Sequence, residues 1–293
     1  MESRAPPHRL LEKKNPKLFM KTILTHLGSD IPPFAEFCLR QYRIFNPQAE
    51  MAFIAGESYL KDRSALLEEL RIEPVASESL EKEPAIKKFR EINYYKNWGT
   101  PETVYPSQRN FWNYTLERLF FVESLMRKKG WQDVFHFEND VMIYADLADV
   151  QKRISRPPQM HITPVGYQWV ACGLLYVPEA GQLGRFCEFV LKELPQGDEK
   201  IKKKRNIEIV SDMTLLKAYA DETKTVCYFP VLPEGPHSAG LSELGSIFDG
   251  ASWGQFAAGT NNGHGPGWAT DQSYVGRELL LGKYKLAWET ADG

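Results

Sequence analysis

A chain of 293 residues with 43% hydrophobic and 12% aromatic content can bury one large α/β core or two small ones, which excludes intrinsic disorder as its general state. Thirty-six basic and 38 acidic residues leave a formal charge of -2 and a pI near 6.3. No global field therefore favours nucleic acid or an anionic membrane, and an anionic ligand has to be met by local groups.

The leader, Met1 to Lys17, is charged and carries prolines, without the apolar core or small-residue cleavage site of a signal peptide. No apolar run reaches the length of a membrane span. Lys21 to Thr25 reads as a first strand, and His26-Leu27-Gly28-Ser29-Asp30-Ile31-Pro32-Pro33 as a loop of turn formers. A helix follows, with Phe34, Phe37, Cys38, Tyr42 and Phe45 as its apolar face, and Asn46-Pro47 stops it before a second strand, Glu50 to Ala55. Asp62 to Ala85 is acidic and amphipathic and is expected to form a helix and peripheral loop. The longest helix is expected from Gln108 to Lys129, with Ser107 as N-cap, Arg127-Lys128-Lys129 in the last turn and Gly130 just beyond.

Asp133 to Phe137 is an apolar strand of the sheet centre, interrupted at Glu138-Asn139-Asp140 and resuming over Val141 to Tyr144. Further strands are expected at Gln168 to Tyr176 and Thr225 to Phe229, and helices at Gly181 to Leu194 and Ser211 to Ala220. The basic run Lys200 to Arg205 reads as a solvated loop, since no aromatic residue adjoins it to make a nucleic-acid footprint. The last fifth is rich in glycine and irregular, and its interleaved Trp, Gln, Asn and His residues point to a functional loop. Cys38, Cys172, Cys187 and Cys227 lie far apart in apolar settings, without the paired spacing of zinc or redox sites. They read as buried free thiols of a cytoplasmic protein.

Glu138 and Asp140 are two residues apart at a strand end, so their side chains leave on one face and converge on one cation. Oxygen ligands of this kind suit Mg²⁺ or Mn²⁺, which keep positions open for diphosphate oxygens and stabilise the charge of a departing nucleoside diphosphate. The alternative is a polar turn with Asx-type hydrogen bonds. In open α/β sheets ligands gather at the carboxyl ends of the strands, where this triplet and the Thr25-His26-Leu27 loop both fall.

At His136-Phe137-Glu138-Asn139-Asp140-Val141 the sequence resembles the DxD-type signature of nucleotide-sugar glycosyltransferases of the GT-A fold, here in an ExD form. The likeness in element order runs from about Lys21 to Trp288 and includes the small residues Ala171-Cys172-Gly173. It implies a Rossmann-type α/β domain, residues 1–293, with a mixed, mainly parallel sheet flanked by helices. Residues 18–150 would bind the nucleotide sugar and 151–293, with its glycine-rich loops, the acceptor. The implied reaction is metal-dependent transfer of a sugar, by default from a UDP-sugar, to a glycan, protein or small-molecule hydroxyl. Retention or inversion stays open.

The resemblance further implies a histidine from a late glycine-rich loop in the metal site; His264 is the candidate and His237 the reserve. Glu138 replaces an aspartate, so direct ligation is surer for Asp140. Thr25, His26, Leu27, Glu138 and Asn139 would meet the nucleotide sugar, with Arg118 in preference to Arg109 on the long helix. Trp253 or Trp268 would stack on a sugar or base, or serve the core. Asp212, at a helix start, is the first candidate for the base that takes the acceptor proton, against a helix-dipole role. Asp249, in a Phe-Asp-Gly turn, is the second, and His136, inside a strand, reads as a core residue. Two other functions remain: a sugar nucleotidyltransferase, for which His26-Leu27-Gly28-Ser29-Asp30 lacks a basic partner, and an inactive carbohydrate-binding protein of the same fold.

Overall fold

The computed structural model describes residues 20–28, 31–94, 111–259 and 263–284. Seven strands form one sheet: β1 (Lys21–Thr25), β2 (Glu50–Ala55), β3 (Ile72–Ala76), β4 (Gln132–Phe137), β5 (Met160–Pro164), β6 (Val170–Glu179) and β7 (Val226–Tyr228). Their order is β3-β2-β1-β4-β6-β5-β7. All neighbours pair in parallel except β6, which runs antiparallel to both β4 and β5. This is the mixed, mainly parallel sheet that the element order implied.

Period-two alternation divides the core between two faces. On one face Ile23, Ile54, Val134, Ile162 and Cys172 lie beneath α4 (Pro84–Ile92), α5 (Phe111–Lys129), α7 (Ala180–Glu193) and α9 (Asp212–Thr223). On the other, Leu24, Phe53, Phe135, Phe137 and Tyr176 meet α1 (Phe34–Phe45), α3 (Ser64–Glu69) and α6 (Leu147–Arg153). Three short helices, α10 (Leu241–Leu244), α11 (Trp253–Ala258) and α12 (Tyr274–Leu280), punctuate the glycine-rich end. Among the described residues no helix is long and apolar enough to cross a membrane.

Several local expectations are corrected. The buried stripe of α1 is Ala35, Cys38, Leu39 and Tyr42, while Phe34 and Phe37 are 47% and 68% exposed; the i, i+3, i+4, i+7 set that faces the sheet contains small and aliphatic members as well as the obvious rings. Residues 62–85, expected as a helix and peripheral loop from their acidic, amphipathic pattern, hold strand β3; Pro74 is tolerated in it because β3 is an edge strand. Residues 141–144 form no strand. The side chain of Gln41 takes the Ile143 N–H at 2.8 Å, which replaces a ladder partner, and the chain then enters α6, capped by Asp146. Strand β5 was not expected.

The basic run lies in a helix, α8 (Asp198–Arg205), whose Lys204 and Arg205 pair with buried Glu193. Of the long helix, Phe111–Lys129 is observed; Ser107, Gln108 and Arg109 lie outside the described residues. Cys38, Cys172 and Cys187 are buried and Cys227 half-buried, all as free thiols.

Helix α9 starts at a capping box in which Ser211 and Thr214 exchange side-chain and backbone hydrogen bonds. Replacing Ser211 with alanine orphans the Thr214 N–H inside the protein. Urea denaturation of Ser211→Ala is expected to show a loss of about 1 kcal/mol, within a range of roughly 0.5–2.

Candidate active site

The chain leaves β4 at Phe137 and turns at once. The Glu138 N–H donates to the Gly173 carbonyl of β6 at 3.0 Å, and the Val141 N–H donates back to the Glu138 carbonyl at 3.2 Å. A Cβ built on Gly173 would come within 2.9 Å of Val141 Cγ2, so the small residue lets the acidic turn lie against β6. Glu138 shares the α5 face of the sheet with His136, two residues before it.

Arg118 of α5 reaches this point from above. Its Nη2 donates to Asp212 Oδ2 at 2.8 Å and also contacts Glu138 Oε1. The side chains of Arg118, Asp212 and Glu138 are 10%, 4% and 23% exposed, so one guanidinium joins α5, the turn after β4 and the first turn of α9 inside the protein. A buried charge is tolerated only where it is paired and hydrogen-bonded.

Burial pushes the Glu138 carboxyl up to about 7; Arg118 opposes the shift, while Asp140 and Asp212 add to it. An ion pair ordinarily lowers a carboxyl pKa, so the net rise means that loss of water and two like charges outweigh one shared cation. Burial and the Arg118 charge push His136 down to about 3, which keeps its ring neutral. Burial, with Asp212 beside it, pushes the Cys172 thiol up, which makes Cys172 an inert neighbour.

Beside this cluster, Asn139 Nδ2 donates to His26 Nδ1 at 2.8 Å, tying the acidic turn to the loop after β1. The His26 N–H extends the β1–β2 ladder by donating to the Ile54 carbonyl at 2.9 Å. Gly28 has φ +119°, and a Cβ there would stand 3.3 Å from Tyr114 of α5, so the loop requires glycine to pass beneath that ring. Leu27 packs on the core. Thr25 is buried, with its hydroxyl sealed from solvent, and so presents no side chain to a nucleotide in this arrangement.

The remaining candidates lie in other local settings. The Asp249 carboxylate accepts the N–H groups of Ser252, Trp253 and Gly254 at 2.7, 3.0 and 2.8 Å, the work of a helix cap. Trp253 donates its ring N–H to the Val231 carbonyl at 3.0 Å and packs on the small cluster of Val231, Leu232, Val275 and Leu279. His264 is exposed and stacks on Trp268 at 4.8 Å between centroids, and His237 stacks on Tyr274 at 3.7 Å. A cavity of about 410 Å³ lined by His161, Phe229 and His237 opens on the α6 face, across the sheet from Arg118.

Among the described residues no three His, Cys, Asp or Glu side chains gather closely enough to hold a metal; Glu138, Asp140 and His264 therefore do not form a three-ligand set. The charge balance of the turn nonetheless suits a hard divalent ion. Three carboxylates, Glu138, Asp140 and Asp212, act on the single guanidinium of Arg118, and Asp140 is the exposed member. Magnesium-type sites commonly use one or two carboxylates and complete the shell with phosphate oxygens and water.

With this geometry in place, the molecule can be compared with known proteins. Its structural neighbours include glycosyltransferases. Apo mouse xyloside xylosyltransferase 1 aligns with a TM-score of 0.49 and 8% identity, over 79% of this chain and 95% of that one. The glycosyltransferase GlyE of Streptococcus pneumoniae TIGR4 gives 0.44 and 10%, over 72% of this chain and 45% of that one. A cytidylyltransferase from Leptospira borgpetersenii serovar Hardjo-bovis gives 0.38 and 9%, over 72% and 75%. At such identities the likeness extends to the fold alone. No protein-family model matches the sequence, and no curated protein does so.

Sequence reasoning found the two carboxylates of the turn, Asp212 and Arg118, but not that Arg118 joins Glu138 to Asp212. The role of Gly173 was foreshadowed by its small neighbours; the proximity of His136 to Arg118 had no sequence signal.

The raised Glu138 pKa has a definite consequence. As pH rises from about 4.5 to about 7, the unfolded chain releases the Glu138 proton before the folded one does, so this group's contribution to stability falls across that window and is flat above it. Urea unfolding at pH 5 and pH 7.5, with chelator present, is expected to show that Glu138→Gln loses this part of the slope. An unchanged difference between the two proteins at the two pH values would contradict the assignment.

Proposed function

We propose that this chain transfers a sugar from a nucleotide diphosphate sugar, by default a UDP-sugar, to a hydroxyl of a glycan, protein or small-molecule acceptor. The observation that carries the reading is the group of three carboxylates around one buried guanidinium at the carboxyl edge of the parallel strands, hydrogen-bonded through Asn139 to the loop after β1. Ligands of open α/β sheets gather at that edge.

In this reading His26, Leu27 and Asn139 border the nucleotide. Asp140 and Glu138 would hold Mn²⁺ or Mg²⁺, which supplies charge neutralisation to the departing diphosphate. Arg118 holds Glu138 and Asp212 at a fixed separation and limits their mutual repulsion. Asp212 takes the acceptor hydroxyl proton during in-line attack, as an inverting transfer requires; its carboxylate is nearly sealed before substrates bind, and such contacts commonly form only in the substrate complex. Asp249 is the weaker candidate, because three N–H donors already occupy its carboxylate. The acceptor falls to the C-terminal half, as the element order implies.

Incubation with a panel of nucleotide sugars and Mn²⁺, followed by measurement of released nucleoside diphosphate, tests the reaction. Turnover with at least one donor is expected. Pyrophosphate release from a nucleoside triphosphate and a sugar 1-phosphate would replace it with nucleotidyl transfer, and silence with every donor would leave a binding protein.

Two variants test the roles. Asp212→Asn keeps a hydrogen-bond acceptor for Arg118 but no strong base, so transfer is expected to fall by about 10²–10⁴-fold, with nucleoside diphosphate still bound by calorimetry. Asp140→Asn is expected to abolish the part of that binding which depends on Mn²⁺. Equal binding by the parent protein with and without Mn²⁺ would remove the metal from the mechanism.

A further inference from the structure

The cavity of about 410 Å³ on the α6 face is formed where the carboxyl ends of β5 and β7 meet the end of α6, α10 and the loop around His237. Its volume lies toward the lower end of ligand cavities. His161 is the group that distinguishes it. This residue is 9% exposed, with its ring edge-on to Tyr176 at 5.8 Å between centroids and tilted against Phe229 at 5.2 Å. Its Nδ1 lies 2.8 Å from the Gln159 carbonyl, which has no proton to give, so Nδ1 carries the hydrogen and Nε2 presents a lone pair. Burial pushes the ring pKa down, which keeps that lone pair free at neutral pH. Unlike the sealed ring nitrogen of His136, His161 Nε2 is open, and it has no hydrogen-bond partner among the described residues. The adjacent thiol does not supply one: Cys227, beside His161 in the β5–β7 pairing, donates to Gln159 Oε1 at 2.9 Å.

Arg153 and Glu243 complete the polar lining. Arg153 reaches the Leu244 carbonyl at 3.5 Å and Glu243 takes the Ser242 hydroxyl at 2.7 Å, and neither joins an ion pair among the described residues. The guanidinium can only donate, whereas the carboxylate and His161 Nε2 can only accept. Their opposite charges leave no net field to select an ion. Ile154, Pro164 and Leu244 add apolar wall, and the flat ring of His237 is backed by Tyr274 at 3.7 Å. The loop bearing that ring is held in place, since the Val231 N–H donates to the His237 carbonyl at 2.9 Å. Among the described residues no three His, Cys, Asp or Glu side chains gather to hold a metal. A ligand suited to this lining sets donors and acceptors side by side on a small uncharged frame that also has an apolar face. A pyranose ring has that chemistry.

We propose that this cavity holds one neutral hexopyranose unit, with one hydroxyl donating to His161 Nε2, another donating to Glu243, and sugar oxygens accepting from Arg153. Because the cavity opens across the sheet from Arg118, it is a second carbohydrate site, independent of the proposed transfer reaction.

Nuclear magnetic resonance titration of the full chain, without nucleotide or metal, tests the proposal, with the His161 imidazole nitrogens as readout. The probes are the methyl glycosides of glucose, galactose and mannose, with glucuronate as the charged comparison. At least one methyl glycoside is expected to shift Nε2 saturably. His161→Phe keeps a ring and removes the lone pair, and is expected to weaken that binding about tenfold, the equivalent of one lost hydrogen bond, read from backbone amide shifts. Glu243→Ala, at an exposed position whose loss spares the core, is expected to weaken it several-fold and serves where the His161 variant does not fold. Silence with every glycoside, tighter binding of glucuronate, or undiminished binding by Glu243→Ala would overturn the proposal. So would loss of binding in Asp140→Asn, which would put the sugar at the acidic turn. A protein that binds a glycoside here and turns over no donor would lose the transfer reading alone.

Discussion

Everything at the carboxyl edge of this sheet depends on the Arg118 guanidinium. It is placed where water is nearly absent, contacts a carboxylate from the turn after β4 and another from α9, and so ties three chain segments that are remote in sequence. The arrangement differs from a surface ion pair, where solvent screening leaves little net interaction. Here each partner, if left alone, would be a buried charge of high cost, and the mutual satisfaction of all three sets the distance between β4 and α9. The capping box of Ser211 and Thr214 holds the other end of this tether, because it fixes the first turn of α9 in which Asp212 sits.

The same cluster is short of positive charge. One cation serves two carboxylates directly and a third, Asp140, at longer range. The deficit falls at the exposed end, next to the His26 and Asn139 loop, and not in the core, where Arg118 is placed. A site with that polarity repels an anion brought to it without a compensating positive charge. Local charge therefore supplies what a nearly neutral whole molecule cannot.

Much of the framework was legible because local signals agreed with one another. Strands β1, β2 and β4 are short apolar runs bounded by turn formers, and α5 ends in three basic residues and a glycine. Misreadings arose where a long-range partner decided the outcome. The acidic, amphipathic pattern of residues 62–85 hides an edge strand that exists because β2 offers it a ladder. Phe34 and Phe37 looked like the buried face of α1, but the sheet takes the stripe containing Ala35 and Leu39. Of the site, residue types were legible and alliances were not. No spacing rule connects positions 118, 138 and 212, since their meeting is set by sheet order and helix packing.

The small residues of β6 show how one backbone contact converts fold into site. Were β4 to continue straight past Phe137, its next residues would extend the ladder and Glu138 would be one more strand residue. The Glu138 N–H does pair with Gly173, and the chain then folds back on itself through Val141. A Cβ at 173 would stand 2.9 Å from Val141 Cγ2, so Val141 would have to shift where the turn lies against β6. Gly173 therefore eases the close approach of the acidic turn to β6, and the adjacent Cys172 fills the space beneath Asp212 with a thiol that burial keeps protonated. The acidic turn, the guanidinium and the strand facing them form one mechanical unit, in which packing determines where the charges stand.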